Sequence, residues 1–176
     1  GKFWSHSTTY GIISAELKGI AMLPNDQKTR FEIALDLVGD EDAAVLLVLV
    51  GDLARLADNI ADGDSIDPQR DMAQLLILAV HRIPTNAFFL RHAEVLRHSL
   101  AAIATGWDVS NRFHRTDDAR KHAFGFVHRE ADDMFLTQVG ALCLGWNRAA
   151  DVYEALFAVA YGKETETLED WVKEGR

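Results

Sequence analysis

Two carboxylates at the end of a hydrophobic segment are the residues of this chain best suited to chemistry. Asp58 and Asp62 are four positions apart, so on a helix they lie one turn apart on the same face. Gly63 predicts that the helix ends there, and Asp64 follows it. A helix C-terminus is partly negative, so each carboxylate in its last turn costs about 0.3–1 kcal/mol unless a cation offsets it. That cation is either a divalent ion such as Mg²⁺ or the guanidinium of Arg55, three residues before Asp58.

A basic cluster at the junction of two predicted helices is the second candidate site. It consists of Arg112, His114, Arg115, Arg120 and Lys121. A guanidinium presents a fork of donors that matches phosphate oxygens, so Arg112 and Arg115 are candidate ligands of a diphosphate. The alternative is that these cations only stabilise the negative end of the first helix, while Asp117 and Asp118 begin the second.

Two histidine–carboxylate pairs have the spacing of metal ligands. Glu94 and His98 are four residues apart, and so are His128 and Asp132. Two such pairs on neighbouring helices could hold an ion, but di-iron bundles use Glu-x-x-His spacing and two further glutamates, which this sequence lacks. The sequence also contains no P-loop, nucleophilic triad, dinucleotide-binding glycine turn or zinc-type spacing. If a metal ion rather than Arg55 offsets the charge of Asp58 and Asp62, the predicted cofactor is Mg²⁺.

The sequence predicts an all-α protein, a compact single domain of residues 1–176 with about seven helices around a buried central helix. Its three prolines fall where helices begin or end, and strict alternation is rare. The central helix is predicted from Glu41 to Asp62, and Val45–Val50 within it is apolar on every side. Gly51 lies in its middle, where glycine costs about 0.5–1 kcal/mol relative to alanine, so a backbone or a bound group is expected close by.

Apolar residues at helical spacing and capping residues predict the other helices. Their ranges are Thr9–Leu23, Asn25–Gly39, 68–82, 86–113, 116–145 and 147–161, with Asn25 as the N-cap of the second. The polar tail 163–176 is expected to dock a short helix through Leu168 and Trp171.

Composition excludes several classes of protein. A formal net charge of −9 argues against general nucleic-acid binding, which needs a basic face. No apolar stretch approaches the ~18–20 residues of a membrane span. The single cysteine, Cys143, excludes an internal disulfide, and the chain does not open on a signal-peptide pattern, so a cytoplasmic location is expected.

The segment from Leu53 to Asp64, LARLADNIADGD, resembles the first aspartate motif of class I isoprenoid synthases, most closely that of the squalene and phytoene synthases. In that family an Asp-x-x-x-Asp pair holds Mg²⁺, the ion holds a prenyl diphosphate, and the helices enclose an apolar cavity for its tail. The resemblance implies that Asp58 and Asp62 are the metal ligands and that Gly51 leaves room for the prenyl chain. Asn59 replaces a family aspartate and the second motif is not reproduced, so the resemblance implies this fold and one metal site without full synthase activity.

A second resemblance concerns residues 86–92 and 107–111, which are similar to small helical bacteriophage proteins without an assigned activity. Two functions follow. The first is an isoprenoid-synthase-like protein that binds Mg²⁺ and a prenyl diphosphate, with the carboxylates and the basic residues around one cavity. The second is a non-enzymatic structural or interaction protein of bacteriophage type. In this case the carboxylates are solvated, and a homo-oligomer would have an apolar patch at its subunit contact.

Overall fold

The computed structural model describes residues 28–129, 132–161 and 167–174, and these residues are helical without any strand. The all-α prediction is therefore confirmed for this part of the chain. The helices are α1 (Arg30–Val38), α2 (Glu41–Asp62), α3 (Pro68–Ile77), α4 (Ala87–Arg91), α5 (Ala93–His114), α6 (Ala119–His128), α7 (Asp132–Leu144), α8 (Ala149–Tyr161) and α9 (Leu168–Glu174). A π-helical turn, Leu78–Arg82, continues α3, and a 3₁₀ turn, Trp146–Arg148, precedes α8.

The first described helix begins later than the sequence predicts. Thr29 is its N-cap, and it forms a reciprocal capping box with Glu32, in which each side chain accepts from the backbone N–H of the other residue. Asn25, the predicted cap, lies outside the described residues, as does the predicted helix Thr9–Leu23. Because the box satisfies two otherwise unpaired amides at once, the start at Arg30 is well defined.

The central helix has the bounds that the sequence predicts. Asp40 caps α2 by accepting a 2.9 Å hydrogen bond from the backbone N–H of Ala43, and Gly63 ends it in the left-handed conformation at φ 79°. Its buried residues are Ala43, Ala44, Leu46, Leu47, Leu49, Val50 and Leu56, and it packs against α1, α3, α4 and α7. The core of the described structure is therefore built around the first half of α2.

Two of the predicted long helices are each broken into two. The first breaks at His92, whose backbone N–H donates to the carbonyls of both Phe88 and Phe89. This break lets both phenylalanines enter the core while the Arg91 guanidinium pairs with Asp40 and Asp42 at the start of α2. The second predicted helix is interrupted after α6, which ends at His128 with Arg129 as its C-cap.

Helices α5, α6 and α9 form one group, and α7 and α8 form another that joins the core. Trp171 of α9 is buried against α6, and its indole stacks on the His114 ring at a centroid distance of 4.1 Å. Of the two residues predicted to dock a short C-terminal helix, Trp171 is buried, whereas Leu168 is exposed. Gly140 of α7 lets α8 approach closely, since a Cβ there would lie 2.5 Å from a methyl group of Val152.

None of the helices within the described ranges combines the length and the apolar character needed to cross a membrane.

Candidate functional site

The predicted metal ligands lie in the last turns of α2. Asp58 is half-buried, whereas Asp62 and Asp64 are exposed. The chain turns sharply after them, because the backbone N–H groups of Gly63, Asp64 and Ser65 all donate to the carbonyl of Asn59. This turn keeps three carboxylates near one helix end, although no group of three or more metal-ligating side chains converges within the described residues.

The electrostatics of this helix end are visible at Asp62. Partial burial and then the neighbouring Asp58 carboxylate raise the pKa of Asp62 above its ordinary value, and Asp64 acts in the same direction. The Arg129 guanidinium, at the end of α6, acts in the opposite direction. Burial and the neighbouring carboxylates together therefore disfavour the ionised form of Asp62.

The arginines that the sequence proposes as partners have other contacts. Arg55 forms its ion pair with Asp52, at 3.2 Å, and Asp52 also pairs with Arg30 of α1 at 2.6 Å. Arg112 is exposed and pairs at 2.7 Å with Asp108, one turn earlier on α5. Among the described residues, the Arg129 guanidinium lowers the pKa of Asp62, and it also lies over the Trp171 ring at 6.0 Å. Only the tertiary placement of α6 reveals this neighbour.

The basic cluster lies at the turn between α5 and α6. Arg115 is the C-terminal cap of α5, and it is exposed. Asp118 caps α6 by accepting from the backbone N–H groups of Arg120 and Lys121, and these bonds lower the pKa of its carboxyl. Each of these contacts completes a helix end, as the second interpretation of the cluster expects.

Gly51 lies beside a small cavity between α1, α2, α7 and α8. The volume is about 10 Å³, and the walls include Leu37, Leu47, Leu136 and Leu156, with Arg30 at one side. A space of this size holds about one water molecule. A prenyl tail would need these helices to separate, so the tail pocket stays a prediction.

A group of exposed apolar side chains lies along α3, and the motifs singled out from the sequence do not include it. Asp67 caps the helix, Pro68 occupies its first position, and the buried residues Leu78 and Ile83 fasten its far end to the core. On the opposite side of α3 and of the π-helical turn that continues it lies a surface that we name the α3 face, made of Met72, Ala73, Leu76, Ile77, Ala79 and Val80. The larger side chains of this set are between 43% and 72% exposed.

The sequence holds the signal for this surface. Between Met72 and Val80 the single polar residue is Gln74. A helix that is apolar on all sides is expected to be buried on all sides. In the part of the chain that the structure describes, α3 packs on α2 along one side, and the side chains of the α3 face are exposed.

No protein-family model matches this chain, and comparison with curated proteins and with solved structures finds no match either.

Proposed function

We propose that this chain is a non-enzymatic helical interaction protein that binds another macromolecule through the α3 face. The observation that carries the proposal is the environment of α3. Its apolar composition is typical of a helix buried on all sides, but the described residues cover it on one side only. Large exposed apolar patches on folded proteins mark sites where another molecule binds.

The free energy gained by burying the α3 face limits how tightly a partner can bind through it. Burying an exposed Met, Leu, Ile or Val gains about 1.5–3 kcal/mol when the side chain starts fully exposed. The four large side chains are about half exposed, so covering them gains roughly 3–6 kcal/mol. Association itself costs about 4–15 kcal/mol, so the α3 face needs polar contacts around it to hold a stable partner.

The test of this function compares the parent chain with Leu76→Gln/Val80→Gln. We expect the parent either to self-assemble in sedimentation velocity at about 1 to 100 µM or to bind the apolar dye ANS. We expect the double variant to do neither. Leu90→Gln is the matched control, because Leu90 is a similarly exposed apolar residue outside the α3 face. It should behave as the parent does.

The result that overturns the proposal is a parent chain that neither assembles nor binds the dye, together with a double variant that loses as much stability as a core substitution. A core leucine replaced in this way costs about 2–5 kcal/mol. That result would mean that the chain covers the α3 face itself.

A second candidate function is the Mg²⁺ site of the isoprenoid-synthase-like reading, and the placement of Asp58 and Asp62 one turn apart at the end of α2 favours it. Carboxylates that repel each other are stabilised by a divalent cation, and the ion would then present open positions to a diphosphate. Asp58 and Asp62 would be its protein ligands.

Its test is a thermal melt with Mg²⁺, alone and with a prenyl diphosphate, on the parent and on Asp58→Asn/Asp62→Asn. Ligand at 100 times its Kd stabilises the folded state by about 2.7 kcal/mol. We expect a shift in Tm that needs both carboxylates. An unchanged Tm with every combination would remove this candidate and leave the interaction protein.

A further inference from the structure

We propose that the partner at the α3 face is a second copy of this chain, packed as an antiparallel pair of α3 helices about a two-fold axis beside Leu76. The inference rests on the proposed function and names its partner. It follows from the charge around the α3 face, from the charge along α3 and from the spacing of its side chains.

The charge of the whole chain leaves few places where two copies can approach. Each copy carries a formal net charge of −9, so most of its surface repels a second copy. The nine residues from Met72 to Val80 carry no charge. The α3 face is therefore a surface on which like charges do not have to be brought together or buried.

The two ends of α3 carry opposite charge. Asp64, Asp67 and Asp71 lie at its start and outnumber Arg70, whereas exposed His81 and Arg82 lie at its end. An antiparallel pair places the acidic start of each helix beside the basic end of the other. A parallel pair would place acid beside acid, which costs free energy and favours the antiparallel arrangement.

The side chains of the α3 face form a ridge suited to such a pair. Met72, Leu76 and Val80 follow one another at intervals of four residues, and the small side chains of Ala73 and Ala79 flank them. A two-fold axis beside Leu76 sets Leu76 against its own copy and Met72 against Val80 of the other copy. The contact between Met72 and Val80 then occurs twice and the contact between the two Leu76 side chains once, as in an isologous dimer.

The first experiment measures the mass of the full-length chain by sedimentation equilibrium. We expect twice the 19.6 kDa of one chain, and one chain only for Leu76→Arg at the same concentrations. Leu76 is half exposed, so this substitution should leave the helical circular-dichroism spectrum unchanged.

The register is tested by a charge swap. Met72→Glu or Val80→Lys alone should prevent the dimer, because each buries a charge at the contact. The combination Met72→Glu/Val80→Lys should restore it, because each glutamate then faces a lysine of the other copy. In a parallel pair the glutamates would face each other, so a combined variant that stays monomeric overturns the antiparallel arrangement.

Disulfide formation tests the axis. Under mild oxidation Leu76→Cys should form a covalent dimer, whereas Gln74→Cys, exposed on another side of the same helix, should not. Cys143 serves as an internal blank, since burial and then the Asp40 carboxylate raise the pKa of its thiol to about 11. Its thiolate is therefore scarce near neutral pH, and thiolate is the reactive form.

The remaining outcomes separate the failure of this inference from that of the proposed function. A monomer whose Leu76→Cys thiol reacts freely with maleimide overturns the second copy as partner and leaves the α3 face open to another macromolecule. A monomer whose Leu76→Cys thiol is protected at every concentration overturns both, since the chain then covers the α3 face itself.

Discussion

At the scale of single residues, Asp62 reports the electrostatics of the α2 end. Its raised pKa means that the folded chain holds this proton to a higher pH than the unfolded chain does. Stability from this group is therefore fully present below the ordinary value of 3.8 and is lost as the pH rises through the raised value. At neutral pH the ionised Asp62 destabilises the fold.

Replacing Asp62 should therefore stabilise the protein. We expect Asp62→Asn to raise Tm by about 1–4 °C at pH 7, from the ~0.3–1 kcal/mol cost of a carboxylate at a helix C-terminus, and to change it little at pH 3. Glu154→Gln, an exposed carboxylate on α8, is the control and should shift neither value. A lower Tm at pH 7 would mean that attraction to Arg129 outweighs the repulsion from Asp58.

The sequence predicted the helix end that carries Asp58 and Asp62, and it gave no indication that Arg129 lies near Asp62. The four-residue spacing of Asp58 and Asp62 and the glycine after them are local features, and the local structure follows them. Arg129 lies 67 positions after Asp62 in the sequence. It acts on Asp62 because of how α6 packs, and a residue pattern within one helix carries no information on that.

At the scale of elements, helix ends with strong caps were predictable and tertiary breaks were not. Asp40, Gly63 and Pro68 mark their helix boundaries by local chemistry, and the structure follows all three. The sequence around the break at His92 contains no glycine or proline that would predict a helix end there. It depends on burying Phe88 and Phe89 beneath the start of α2, where the Asn86 side chain also donates to the carbonyl of Asp42.

The contact between α7 and α8 gives a prediction on an element pair. In Gly140→Ala the new methyl would lie 2.5 Å from Cγ1 of the buried, β-branched Val152, which has little freedom to move. Overpacking of this kind costs about 1–3 kcal/mol, against a gain in helix propensity of up to about 1 kcal/mol. We expect a net loss of stability in urea unfolding.

A double-mutant cycle isolates the cause of that loss. The Val152→Ala background removes the methyl groups that collide with the new side chain, so the cost of Gly140→Ala should be smaller there. An equal cost in both backgrounds would show that the close approach of α8 is not what requires Gly140.

At the scale of the whole molecule, the sequence shows that α3 is apolar, but it does not show which surface packs against it. Apolar residues on every side of a helix predict burial, and they do so equally for a cover from the same chain or from another one. The structure distinguishes these cases within the described residues, because α2 covers the side of Leu75 and Leu78 and the α3 face stays open. The proposed interaction surface therefore depends on how the helices assemble, whereas the spacing of Asp58 and Asp62 depends on one segment only.

If two copies pair through α3, folding stability must depend on protein concentration. A dimer that dissociates on unfolding gains about 1.4 kcal/mol per dimer for each tenfold rise in concentration, or about 0.7 kcal/mol per chain. For a chain of 176 residues this corresponds to a rise in Tm of about 1–3 °C per tenfold. We expect that slope for the parent and for Gln74→Cys under reducing conditions, and a flat response for Leu76→Arg. A parent Tm that stays constant over a hundredfold range (about 1 to 100 µM) would contradict the pairing, because mass action admits no concentration-independent dimer.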